Sequence, residues 1–160
     1  MHYQPKSDLL THRIILVTGA SDGIGREATL TYARYGAEVV LLGRNPEKLQ
    51  SVSDEISALG KKSSRWFTLD LDSTTPEECQ QLAGAIGQHY PRLDGVLHNA
   101  GLLGDIVPMA EQKPEVWQQV MRVNVNATFF LTQALLPLLL KSDGGSLVFT
   151  SSSVGRSGRS

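Results

Sequence analysis

A chain of 160 residues fits one domain with a buried core, and a formal net charge of −1, built from 15 basic and 16 acidic side chains, leaves no basic footprint for nucleic acid. One cysteine, Cys79, excludes an internal disulfide, and no cluster of metal-ligating residues stands out. The longest apolar run, "ALLPLLL" (Ala134 to Leu140), is too short to cross a bilayer, and "MHYQPKSDLL" lacks the pattern of a secretion signal, so a cytoplasmic domain with no membrane partner is expected.

The first element is "RIILVTG" (Arg13 to Gly19), apolar on consecutive residues as in a strand covered on both faces. "IGREATLTYARYG" follows with helical spacing and a stop at Gly36. "EVVLLG" reads as a second strand, and "PEKLQSVSDEISALG" as a helix opened by Asn45-Pro46. "SRWFTLDL" is the third strand. "TTPEECQQLAGAIGQHY" is the third helix, with Thr75 as its N-cap and Pro76 at its first position. "LDGVLHNAG" is the fourth strand. One long helix is expected from about Pro114 to Lys141, bent at Pro137, before a fifth strand in "GSLVFTSSS". Regular alternation of strand and helix predicts a doubly wound α/β domain over residues 1–160. Its sheet should be parallel, in the order 3-2-1-4-5, with ligand at the C-terminal strand ends.

"TGASDGIG" lies at the first such end, with glycines at 19, 23 and 25. Gly19 permits a tight exit from the strand, Gly23 lets backbone approach a pyrophosphate, and Gly25 lets the helix pack against the sheet. The helix then presents unsatisfied N–H groups to the anion, and Ser21 can add a hydroxyl. Ile24, between the last two glycines, belongs to the same set. The competing reading is a glycine-rich turn without a ligand, which the strand-turn-helix context counts against.

Four motifs in this order, "TGASDGIG", "HNAG", "VNVNATF" and "GSLVFTSSSVG", resemble those of the short-chain dehydrogenase/reductase family from Arg13 to Gly155. The resemblance implies a Rossmann-type fold and hydride transfer between a nicotinamide cofactor and a small-molecule carbonyl or secondary alcohol. Cofactor choice turns on the end of the second strand, where an acid would accept hydrogen bonds from the ribose hydroxyls of NAD. Gly43 stands there instead, followed by Arg44, whose guanidinium suits the 2′-phosphate of NADP, with Asn45 as a further donor. NADP is therefore expected over NAD, although Asp22 occupies a position often basic in NADP-using relatives. By the same resemblance, Asp70 binds the adenine amino group and Leu71 packs beside the ring. Asn99, Ala100 and Gly101 line the wall by the nicotinamide ribose. His98 departs from the usual asparagine and reads as a hydrogen-bonded core residue.

For the chemistry, the resemblance gives Asn124 the relay role and Ser152 the contact with the substrate oxygen, with Ser151 and Ser153 as the near alternatives. The family's acid/base is a Tyr-x-x-x-Lys pair. None of Tyr3, Tyr32, Tyr35 and Tyr90 has a lysine four residues on. The C-terminal strands and the helix bearing that pair are expected to be absent from these 160 residues. The chain by itself is expected to be inactive and, with its last strand at a sheet edge, prone to self-association. Two other readings remain: a non-catalytic NADP(H)-binding module or sensor, and a structural subunit. Asn124 and Ser152 speak against the sensor, and the glycines against the subunit. The apolar face of Phe129, Phe130, Leu131, Leu135 and Leu138 suggests a homo-oligomer, with core packing as the competing account.

Overall fold

The computed structural model describes residues 5–61 and 64–153. In chain order these form β1 (Ile14–Thr18), α1 (Gly23–Arg34), β2 (Glu38–Gly43), α2 (Pro46–Ala58) and β3 (Trp66–Thr68). Then come α3 (Pro76–Gly87), β4 (Gly95–His98), α4 (Pro114–Met121), α5 (Ala127–Leu139) and β5 (Ser146–Phe149). Every strand pairing is parallel and the order is β3-β2-β1-β4-β5, the expected Rossmann-type arrangement.

The continuous apolar runs of the central strands now have a cause. Along β1 and β2, Leu16, Val40 and Leu42 face one way, into a core with Ile86, Leu131 and Leu135 from α3 and α5. Their neighbours Val17, Val39 and Leu41 face the other way, against Leu30, Leu49 and Ile56 from α1 and α2. A sheet covered on both faces needs apolar residues at odd and even positions alike.

Each of the first three helices starts on a side chain that accepts from its free N–H groups. Asp22 accepts from Gly23 N, Asn45 from Lys48 N, and Thr75 forms a reciprocal capping box with Glu78. The expected helix from Pro114 to Lys141 is not continuous. It breaks at a π-helical turn, Arg122–Asn126, while α5 runs through Pro137 without ending there. Asn124 is the middle residue of the π-turn, and its side chain accepts from Leu102 N and donates to Leu102 O, both at 2.8 Å. The third strand is also shorter than read, because only Trp66–Thr68 pair fully with β2 at the sheet edge.

Leu131, Leu135 and Leu138 of the suggested oligomer face are buried, and Phe130 packs against the same core. Phe129 alone of the five is largely exposed, at 60%. β5 is the other sheet edge, and all four of its residues are exposed. Among the described residues no helix is long and apolar enough to cross a membrane.

At the opposite end of the sheet from the glycine turn, Asp94 is a buried hub just before β4. Its carboxylate accepts from Ile14 N at 2.9 Å, Ser142 Oγ at 2.7 Å, Arg92 Nε at 3.0 Å and Arg13 at 3.3 Å. Burial by itself would raise its pKa, but the Ser142 hydroxyl, the Arg92 guanidinium and the Ile14 N–H outweigh that and hold it at about 2.

Candidate cofactor site

The turns after β1, β2, β3 and β4 converge on one open cleft of about 920 Å³. Gly19, Ser21, Gly23 and Ile24 form one wall, Arg44 and Asn45 stand at the end of β2, and Asp70 and Leu71 follow β3. Asn99, Ala100 and Gly101 close the far side. Gly25 lies beneath the turn, buried, and does not line the cleft.

Two glycines are demanded by backbone conformation and space. Gly19 has φ +66°, and a β-carbon there would stand 3.1 Å from Ala100 Cα. A β-carbon at Gly25 would overlap the Gly19 carbonyl oxygen and lie 2.6 Å from Asn99 Nδ2. Gly23 differs: its φ is +49°, yet a β-carbon would meet nothing within 4 Å, since this backbone faces the open cleft. Such a cradle suits a phosphate group placed against bare backbone at the start of α1.

The second strand end bears on nucleotide choice. Gly43 presents no carboxylate, and Arg44 makes no ion pair or hydrogen bond among the described residues. Asn45 spends only its Oδ1 on the helix cap, leaving the amide nitrogen as a donor. Asp22, anionic at the rim of the same cleft, is paired with Lys48, Nζ to Oδ2 at 2.8 Å. The Lys48 ammonium, and after it the Gly23 N–H, hold the Asp22 carboxyl below the usual carboxylate range.

Several residues of the site carried no local sequence signal. Thr18 is buried at the end of β1, and its hydroxyl accepts from Asn99 N and Ala100 N, both at 3.0 Å, fixing the β4 turn against the glycine turn. Thr150 Oγ1 donates to Asn99 Oδ1 at 3.2 Å. Asp72 accepts from Gln119 at 2.6 Å and from Arg122 Nε at 3.0 Å, anchoring the start of the π-turn to the loop after β3. Lys48 is an exposed lysine on a helix, a type that sequence reading passes over. Asn124 and Ser152 do not line the cleft: Asn124 is engaged with Leu102, and the described lining ends at Thr150. Ser152 is exposed beyond β5.

His98 is buried and stacks on Phe149, centroids 5.0 Å apart and planes 8° from parallel. Thr132 gives its hydroxyl hydrogen to Thr128 O at 2.7 Å, so the His98 Nε2, 3.0 Å away, must donate to Thr132. Burial pushes the His98 pKa down to about 4 from 6.5. The folded protein therefore holds this ring neutral while the unfolded chain protonates it, so stability is complete above pH 6.5 and falls as pH drops from 6.5 to 4. About 2–3 kcal/mol should be lost across that window. Urea unfolding of wild type and His98→Gln at several pH values checks this: the histidine's share of the slope should vanish in the variant.

These features define a dinucleotide-binding sheet. The chain belongs to the short chain dehydrogenase family, whose model matches residues 13–160. Among its relatives, the uncharacterized oxidoreductase YciK of Escherichia coli (strain K12) is 73% identical over 159 residues, covering 99% of this chain and 63% of that protein. A solved structure from Escherichia coli CFT073 complexed with NADPH is 72% identical with a TM-score of 0.96, covering 98% of this chain and 65% of that one. Another, from Shigella flexneri 2a str. 301 complexed with NADP, is 71% identical with a TM-score of 0.95 and covers 97% and 65%. The chain thus spans less than two thirds of the length of each of these relatives.

Proposed function

We propose that this chain is the cofactor-binding part of an NADP(H)-dependent oxidoreductase that moves hydride between the nicotinamide and a carbonyl or secondary-alcohol carbon. The observation that carries the choice of NADP is Arg44, a guanidinium that makes no ion pair or hydrogen bond among the described residues, next to Gly43 where a carboxylate would select NAD. The complexes of the related proteins with NADPH and NADP support it. Bound NADP(H) supplies the hydride. Arg44 and Asn45 hold the extra phosphate, Gly23 and Ser21 receive the pyrophosphate, and Asp70 and Leu71 hold the adenine. Asn99, Ala100 and Gly101 position the nicotinamide ribose.

Ser152 is assigned to the substrate oxygen and Asn124 to the proton relay. No tyrosine here has the lysine that would lower its pKa, so turnover is expected of a chain of the relatives' length and not of these 160 residues alone. The same reading assigns the protein to the cytoplasm and expects a homo-oligomer of the full-length protein; Phe129 and Leu136 support the second, because they leave apolar surface on α5 that the core does not cover.

Titration of NADPH and NADH against wild type and Arg44→Ala tests the cofactor assignment. Loss of the guanidinium should weaken NADPH binding about 10- to 100-fold, the worth of a hydrogen bond to a charged group. NADH binding should change little. Equal affinity of the wild type for both cofactors overturns the reading.

A further inference from the structure

Lys48 stands where helix electrostatics disfavour it. It is the third residue of α2, in a first turn whose free N–H groups and dipole favour anions over cations. Its side chain leaves its own helix and reaches the start of α1, where Nζ lies 2.8 Å from Asp22 Oδ2. Both side chains are exposed, at 57% and 77%, and a pair so exposed adds little stability. Both also line the cleft beside Arg44 and Asn45. The pair therefore spans the rim between the glycine turn and the end of β2.

That position creates an electrostatic problem with one evident solution. A phosphate docking on Arg44 approaches the Asp22 carboxylate, whose charge opposes it. Lys48 cancels that charge, and its flexible four-carbon stem lets the ammonium exchange one anion for another without moving either helix.

We propose that Lys48 is the second cation of the 2′-phosphate subsite, parked on Asp22 until the phosphate draws it away. This deepens the NADP(H) assignment and rests on it. Arg44 supplies the planar, forked donor and Lys48 the compact charge on a flexible stem. Asp22 has two effects: it caps α1 and keeps Lys48 at the rim, and it competes with the phosphate for the same ammonium. Discrimination between the cofactors is then shared by two cations.

The test is calorimetric titration of the full-length protein with NADPH and NADH for wild type, Lys48→Ala, Asp22→Asn and Arg44→Ala. Lys48→Ala should weaken NADPH binding about tenfold and leave NADH within about twofold. Asp22→Asn keeps a capping side chain but removes the competing charge, so NADPH should bind about two- to fivefold more tightly. Both variants break the same ion pair. If that pair served only to join the helices, both would weaken binding alike, and that result overturns the proposal. Equal losses for NADPH and NADH in Lys48→Ala, or no loss, overturn it too. A wild type without preference for NADPH removes the cofactor assignment and this proposal together. A wild type that prefers NADPH and loses the preference in Arg44→Ala but not in Lys48→Ala removes this proposal alone.

Discussion

Replacing Asp94 by alanine is expected to lower the unfolding free energy by about 2–4 kcal/mol, because it strands the hydrogen-bond donors that meet a buried charged acceptor. The carboxylate is 2% exposed and joins the start of β1, the segment before β4 and the loop after α5. Alanine leaves the Ile14 N–H and the Ser142 hydroxyl without their acceptor, and Arg13 and Arg92 without a counter-charge. Asp94→Asn keeps an acceptor for Ile14 and should cost about half as much. With a folded pKa of about 2 against an ordinary 3.8, the carboxylate's contribution is complete above pH 3.8 and is lost as pH falls through 2. Chemical denaturation at pH 7 and pH 3 measures both effects. An alanine variant as stable as wild type would remove Asp94 from its place as a hub.

Gly25→Ala is the second large effect, and it should strike binding more than folding. The added methyl overlaps the Gly19 carbonyl and crowds Asn99 Nδ2, so backbone must move where the glycine turn meets the β4 turn. Because the crowded atom is backbone and not the end of a flexible side chain, the cost should reach at least about 3 kcal/mol, the upper end for overpacking. Any shift carries Gly19 and Ala100 away from the cleft they line, and NADPH affinity should fall by about a hundredfold or more. Gly23→Ala is the contrast: its new methyl meets no protein atom, so the fold should stand while the methyl occupies the space left for a phosphate. Thermal melts with and without NADPH separate the two. Gly25→Ala that binds NADPH normally would refute the steric account.

The sequence by itself determined the order of elements, the parallel sheet, three helix starts and about half of the cleft lining. Those features are written locally. Asn45-Pro46 and Thr75-Pro76 are capping signals within one turn, and the glycine spacing answers to backbone conformation at 19 and 23. Consecutive apolar residues in β1 and β2 report burial on two faces.

The break in the long helix was not legible in that way. Pro137, the obvious breaker, stands on the exposed side of the last turn of α5 and the helix runs through it. The actual break follows from Asn124 reaching Leu102, a contact between residues 22 apart. Nor could pattern divide the apolar face of α5, because Leu131 and Leu135 differ from Phe129 only in which side α3 happens to cover. Lys48 is the clearest case. An exposed lysine in a helix carries no signal, and only the packing of α1 beside α2 brings its ammonium to Asp22 and the cleft. Contacts between distant segments are set by how helices pack across the sheet, and that geometry is nowhere encoded within a single turn of chain.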